Sequence, residues 1–250
     1  MTDYARIGVG YATHRVADPR IAAQLHTAIG DARTVLNVGA GTGNYEPRDR
    51  DVIAVEPSPT MLAQRHRESA PAVRGRAEAL PFASDAFDVA FGILTVHHWS
   101  DRALGIAEMA RVAERVIVLF FEGDMADALW MYDYWPEIRH LHSEREPPGE
   151  AFFRAHLDVE SVGVVPVPAD CTDHFGGAYW CRPEAYLDPD LVQGMSSFAQ
   201  LDAATFEQGA QRLARDLDSG RWDERLGHLR ELDEIDLGYR IVSGRAPDPK

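Results

Sequence analysis

The chain has little of what would assign it most directly. Cysteine is scarce: 250 residues contain two, Cys171 and Cys181, with no C-x-x-C or Cys/His ligand rhythm around them. That excludes a disulfide framework and a thiolate metal site, and it fits reduced thiols in a cytosolic protein. No apolar run approaches the roughly 18 residues that a spanning helix requires, and the opening Met-Thr-Asp-Tyr-Ala-Arg has no apolar signal core. The expected location is therefore the cytoplasm. Basic clusters are missing too. With 25 Lys and Arg against 40 Asp and Glu, a formal net charge of −15, the surface repels phosphate backbones and anionic membranes, so no nucleic-acid or membrane partner is expected. Internal repeats and low-complexity tracts are absent, and nothing in the composition chooses between a monomer and a homodimer.

What is present is a core-forming composition, 45% hydrophobic over 250 residues. One large α/β domain is expected in preference to two small ones. The chain is organised around residues 33–45, where Val35, Leu36 and Val38 form a short apolar run that enters a glycine-dense turn at Gly39, Ala40, Gly41 and Gly43. Such a run predicts a buried strand, and the glycines let backbone approach a ligand without a Cβ in the way. A second apolar strand, 51–56, ends in Glu56, an acid placed to accept both hydroxyls of a ribose. A dinucleotide fingerprint requires G-x-G-x-x-G aimed at a pyrophosphate, but the third glycine would fall at Asn44. The observed pattern is G-x-G-x-G instead.

These residues resemble the class I S-adenosylmethionine-dependent methyltransferases of the type 11, small-molecule kind. The most specific part of the resemblance is Leu80-Pro81-Phe82 through Phe87-Asp88-Val89, close to the family's L-P-F-x-x-x-x-F-D-V-V run, followed by His97-His98-Trp99-Ser-Asp101, similar to its H-H-W-x-D turn. The resemblance implies a Rossmann-like sheet of seven strands, mostly parallel, in the order 3-2-1-4-5-7-6 with an antiparallel last strand, and helical and aromatic lid insertions. It further implies one methyltransferase domain over 1–250. Within it, 1–30 would form a cofactor-covering flap and helix, 31–122 the cofactor-binding core, and 123–150 and 172–234 substrate-lid insertions.

By the same resemblance the cofactor is S-adenosyl-L-methionine and the product S-adenosyl-L-homocysteine. Tyr11 and Arg15 in the flap would touch the methionine end, with Arg15 able to pair with its carboxylate. Asn37 stands where relatives commonly carry an acid. Pro57 and Met61 would lie near the adenine, Ala77 and Glu78 would meet its edge, and Leu94 and Thr95 would contact the cofactor through their backbone. His97 would look toward the acceptor as a candidate base, with His140, His142 and His174 behind it.

Local signals place the remaining elements. Asp18-Pro19 predicts a helix with Ile21, Leu25 and Ile29 on one face, Ser58-Pro59 opens another, and Asp101 caps a third running to Ala113. Pro47 and the charged 48–51 leave room only for a turn between the first two strands. Strands are expected over 89–94, 115–122, 161–168 and 238–244, with helices over 151–157, 184–200 and 203–218. Trp130, Tyr134, Tyr179 and Trp180, with His97 and His140, are candidate substrate contacts for an apolar or planar acceptor.

The expected activity is transfer of a methyl group to a small-molecule oxygen or carbon. A methyltransferase acting on a protein, peptide or RNA is an alternative, disfavoured by the acidic surface. A nicotinamide-dependent oxidoreductase shares the glycines and the acid but lacks the glycine at 44. A non-catalytic cofactor-binding module is the third rival.

Overall fold

The apolar runs become strands. The computed structural model describes residues 15–141, 147–192 and 194–247. It contains β1 (Thr34–Val38), β2 (Asp51–Glu56), β3 (Ala72–Arg74), β4 (Phe87–Ile93), β5 (Ala113–Phe121), β6 (Asp158–Val164), β7 (Val167–Pro168), β8 (Glu234–Ile235) and β9 (Tyr239–Arg245). Successive strand residues face opposite sides of a sheet, so each central strand feeds two cores. Val35, Val89, Phe91, Ile117 and Leu119 enter one, and Leu36, Val38, Ala90, Val116 and Val118 enter the other. Burial on both faces is why these strands read as continuous apolar runs and not as alternation.

The main sheet runs β3-β2-β1-β4-β5-β9-β6. β9 is antiparallel to both of its neighbours, and the other pairs are parallel. This is the seven-stranded order expected above, with the antiparallel strand last in the chain. The chain reverses its direction of winding at β1 and β4, so the crevice that binds ligands in such sheets lies beyond their carboxyl ends.

Helices cover both faces. On one side lies α1 (Pro19–Ile29), whose N-cap Asp18 accepts from the Arg20 amide and whose Ile21, Leu25 and Ile29 are buried. The other side is covered by α3 (Arg102–Val112) and α4 (Glu150–His156), through Ile106, Met109, Val112 and Phe153. The short α2 (Pro59–Ala63) follows β2 with Ser58 as N-cap, as its sequence predicts. Between β1 and β2 there is only turn structure.

Two expectations need correction. The sixth strand begins at Asp158 and stops at Val164, and Val167–Pro168 pairs instead with Glu234–Ile235 in a separate two-stranded sheet. Pro166, with no amide hydrogen to donate, falls at the break. Nor is 184–200 one helix. It is a 3-10 turn (Pro183–Leu187), α5 (Pro189–Val192) and a second 3-10 turn (Phe198–Gln200), because Pro189 cannot continue a helix begun before it. After them come α6 (Ala203–Asp218) and α7 (Arg221–Leu226).

Both insertions pack onto the α1 side of the sheet. Trp130, Trp135, Tyr186, Phe198 and Trp222 join the same buried cluster as Ile21 and Phe91. Trp135 is fully buried and lies so close to α6 that a Cβ on Gly209 would stand 2.1 Å from its Nε1. Replacing glycine by alanine stabilises a free helix by about 0.5–1 kcal/mol. Here the sign is expected to reverse: Gly209→Ala should destabilise the protein by about 1–3 kcal/mol through overpacking, read as a lower urea midpoint at unchanged slope.

Candidate functional site

The carboxyl ends of β1, β2 and β4 surround a cavity of about 360 Å³. Its floor is the turn after β1, where Asn37, Gly39, Ala40 and Gly41 line the space. The Gly39 and Ala40 amides both donate to the Val55 carbonyl of β2, at 2.9 and 3.0 Å, which folds the turn back over the sheet edge. Gly39 has φ +69°, and a Cβ there would stand 2.1 Å from Thr95 Oγ1. Only glycine allows the two strand tips to close this far.

Gly43, expected at the ligand, does not line the cavity. A Cβ on it would meet Glu46 Oε2 at 2.8 Å and Arg65 Nη1 at 3.0 Å, so its freedom makes room for an ion pair. Arg65 Nη2 donates to both oxygens of Glu46, at 2.7 and 2.8 Å, and the two side chains are only 6% and 5% exposed. The same carboxylate accepts from Asn37 Nδ2 at 3.0 Å and from the Ala70 amide at 3.0 Å. Asn37 is thus tied to the loop through Glu46.

Glu56 closes the β2 side and is 6% exposed. Its Oε2 accepts from the Gly41 amide at 2.9 Å and its Oε1 from the Ser58 amide at 2.8 Å. Burial raises its pKa, partly opposed by these two donors and by the charge of Arg65. Pro57 and Met61 continue the wall, and the Met61 Cε would lie 3.3 Å from a Cβ on Gly41.

Ala77 and Glu78 line the far side. Glu78 Oε1 is engaged within the protein, by the Ser100 amide at 2.8 Å, the Ser100 hydroxyl at 2.6 Å and the Asp101 amide at 3.3 Å. Burial would raise its pKa, but these donors prevail and hold it at about 2. Glu78 therefore clamps the chain after β3 to the start of α3.

Leu94 and Thr95 form the tip of β4, and both line the cavity. Leu94 sits at φ +47°, a left-handed conformation held by its amide bond to the Leu119 carbonyl at 2.8 Å. Strain of this kind in a non-glycine residue costs on the order of 1–3 kcal/mol and gathers at functional sites. Arg15 is on the opposite wall, 9% exposed. Its Nε and Nη2 donate to Asp173 at 2.5 and 3.0 Å, so the structure gives it a carboxylate partner from within the chain. Tyr11 and His142 lie outside the described residues.

The histidines divide. His98 lines the cavity and His97 does not; their rings lie 3.8 Å apart at 55°. Burial, with a smaller contribution from Arg102, pushes the His97 pKa down to about 4, and burial lowers His98 well below its usual value. Both rings are neutral at pH 7.

The aromatic substrate candidates are buried away from the cavity. Trp130, Tyr134, Tyr179 and Trp180 are 7%, 4%, 4% and 1% exposed, and none lines the cavity. Trp130 Nε1 donates to the Trp180 carbonyl at 2.7 Å, Trp180 Nε1 to the Val167 carbonyl at 3.1 Å, and the Tyr134 hydroxyl to Asp216 at 3.0 Å. Aromatic rings with satisfied polar ends are what a second core needs. His140 is exposed and also lies off the cavity.

Comparison with known proteins agrees with this geometry. A family model described as a methyltransferase domain matches residues 36–120. A candidate methyltransferase from an antibiotic biosynthesis pathway of Anabaena variabilis has a crystal structure 30% identical in sequence, covering 92% of this chain and 98% of that one, with a TM-score of 0.82. The chain belongs to the class I S-adenosylmethionine-dependent methyltransferases. The methyltransferase YcgJ of Bacillus subtilis, itself uncharacterized, is 30% identical over 92 residues, 32% of this chain and 36% of that protein, so the match spans about a third of this curated relative. A geranyl diphosphate C-methyltransferase from Streptomyces coelicolor, solved with S-adenosyl-L-homocysteine, shares the fold at 12% identity, with a TM-score of 0.50 over 90% of this chain and 78% of that one.

Several cavity residues of this methyltransferase escape a reading by motif. Thr42, Asn44, Tyr45, Ser58, Arg76 and Trp99 all line it. Trp99 was within reach, since it belongs to the same turn as the two histidines. Its Nε1 donates to Thr95 Oγ1 at 3.2 Å, and its ring lies so close to α3 that a Cβ on Gly105 would stand 2.4 Å away. Asn44 and Tyr45 carry no spacing signal.

The turn after β1 supplies a test. Gly39→Ala combines left-handed strain with a collision against Thr95, and is expected to cost about 2–4 kcal/mol. Denaturant titration reads the loss of stability.

Proposed function

We propose that this methyltransferase binds S-adenosyl-L-methionine in the cavity and transfers its methyl to a small-molecule oxygen or carbon. The observation that carries the reading is the buried Glu56 carboxylate facing a glycine cradle, in a cavity with no room for Cβ atoms at Gly39. A ribose fits an acid whose two oxygens are already directed by the backbone, and a nucleoside without phosphate fits a loop with no pyrophosphate-binding helix behind it. Bound S-adenosylmethionine supplies an electrophilic sulfonium methyl.

The chain's own residues then have limited work to do. Glu56 accepts from the ribose hydroxyls, Met61 and Ala77 pack on the purine, and the Leu94–Thr95 tip fixes the depth of the ligand. Displacement requires an acceptor aligned within about 3–3.5 Å of the methyl and shielded from water. We propose His97, which lies off the cavity against the cavity-lining His98, as the residue that receives the acceptor proton. With a pKa near 4 it exerts little driving force on an ordinary alcohol, which favours an acceptor whose own hydroxyl or carbon is acidic. The antibiotic-pathway description of the Anabaena relative supports a small-molecule acceptor, and the net charge of −15 disfavours RNA. We read 1–250 as one methyltransferase domain, with 1–30 as its flap and helix, 31–122 as the cofactor-binding core and 123–150 and 172–234 as its insertions.

Glu56→Ala is expected to weaken S-adenosylhomocysteine binding by about 1–3 kcal/mol, because hydroxyls in a formed pocket lose a charged acceptor. The pH profile has a definite sign. Burial raises the Glu56 pKa in the free protein, whereas hydroxyl donors favour the carboxylate in the complex, so affinity should fall as pH drops through the raised value. Calorimetry across acidic pH checks both, and an unchanged affinity in the variant removes the ribose assignment. For His97→Ala, cofactor affinity should be retained while turnover of an accepted substrate falls on the order of 10²-fold. Full turnover in that variant would place the proton acceptor elsewhere.

A further inference from the structure

Asp173 has no exposed surface. It is distant in the chain from the cofactor loops, yet its carboxylate bonds to the side chains of their wall. Arg15 approaches it side-on, Nε to Oδ1 and Nη2 to Oδ2 at 2.5 and 3.0 Å, and the Tyr45 hydroxyl donates to Oδ2 at 2.8 Å. Arg15 and Tyr45 line the cavity; Asp173 does not. Neighbouring bonds tie the same pieces together. Asn44 Nδ2 donates to the Arg15 carbonyl at 2.7 Å, the Thr172 amide to Asp18 at 3.2 Å, and Arg20 Nη1 to Asp170 at 2.7 Å. Residues 170–173 are therefore fastened to residues 15–20 across the end of the glycine loop.

Burying a charged pair here is a poor way merely to hold two segments together, since desolvation offsets most of the attraction and apolar packing would serve as well. What the pair adds is direction. A two-point fork fixes the plane of a guanidinium, and the shared oxygen fixes the Tyr45 hydroxyl beside it. In the cofactor reading, Glu56, Met61 and Ala77 account for the adenosine part. The wall left for the amino-acid part is the one that carries Arg15, Asn44 and Tyr45.

We propose that Asp173 is a positioning residue for the amino-acid end of the cofactor, acting through Arg15 and Tyr45, so that residues 170–173 belong to the cofactor site. The inference rests on the assignment of the cavity to S-adenosylmethionine. It links the segment that leads into the second insertion to the ligand without contact between them, because Arg15 and Tyr45 can keep their places only while that segment is docked.

The test compares two ligands on the full chain. S-Adenosylhomocysteine carries the amino-acid end, and 5′-methylthioadenosine has the same nucleoside thioether without it. Calorimetry on wild type, Asp173→Asn and Tyr45→Phe gives the ratio of the two affinities. The expected result is that Asp173→Asn weakens S-adenosylhomocysteine by about tenfold or more and 5′-methylthioadenosine by less than about threefold. Tyr45→Phe should move the ratio the same way by a smaller factor. Equal weakening of both ligands, or no change for S-adenosylhomocysteine, overturns the proposal and leaves Asp173 a purely structural residue. If Asp173→Asn does not fold, Tyr45→Phe, which keeps the ion pair, decides by the same ratio. If wild type binds neither ligand, the cofactor assignment itself fails and the proposal falls with it, before any variant is made.

Discussion

The cavity exists because two strand tips approach more closely than side chains permit. The backbone leaving β1 at Gly39 lies against Thr95 at the end of β4, with the place of a Cβ already taken by the threonine hydroxyl. That approach follows from the parallel pairing of β1 with β4, which brings both carboxyl ends to the same edge of the sheet. From it follow the fold of the turn back onto Val55, the exposure of Gly41 to the cavity and the left-handed turn at Leu94. The Glu56 carboxylate is reached from the same turn through the Gly41 amide.

Buried charge is used sparingly and beside the glycine loop. A protein with a net charge of −15 places two Arg–carboxylate pairs around the glycine loop, Arg65 with Glu46 on one side and Arg15 with Asp173 on the other. Each pair is almost wholly removed from water, so its geometry is specified by several donors and not by attraction alone. Glu46 bonds to Asn37 from a loop where no strand register foretells it. Side chains reinforce the backbone bonds of a loop that has no helix after it.

Aromatic residues in the insertions do a different job from the one their density suggests. Trp130 and Trp180 direct their indole N–H to carbonyls inside the core, Tyr134 directs its hydroxyl to the partly exposed Asp216, and all three bury the ring. An aromatic-rich segment after a fifth strand can roof a pocket or build a core, and its sequence is the same in both cases, since both require large apolar surface with a satisfied polar tip. Only the direction of each ring distinguishes them. The contrast with Trp99 makes the point: a single tryptophan in a five-residue turn reaches the cavity, while the tryptophans of the insertions do not.

The strands themselves, the turn in place of a first crossover helix, the caps at Asp18, Ser58 and Asp101 and the glycines of the cavity floor were legible in the linear chain. These depend on local rules: apolar runs make buried strands, proline and a side-chain acceptor start helices, and glycine permits a positive φ. Family resemblance extended this to the strand order, most of the cavity wall and the cofactor class. What the chain by itself determined is thus the scaffold and the residues that meet a ligand through backbone or through position at a strand end. Tertiary structure decided the rest, because it depends on side chains brought together from distant parts of the chain. It set Gly43 against the Glu46–Arg65 ion pair, engaged Glu78 with Ser100, placed His98 and not His97 on the cavity wall, and carried Asp173 across 158 residues to Arg15. No periodicity encodes such pairs, since each is selected by the shape of the packed interior and by the cost of leaving a buried charge without its partner.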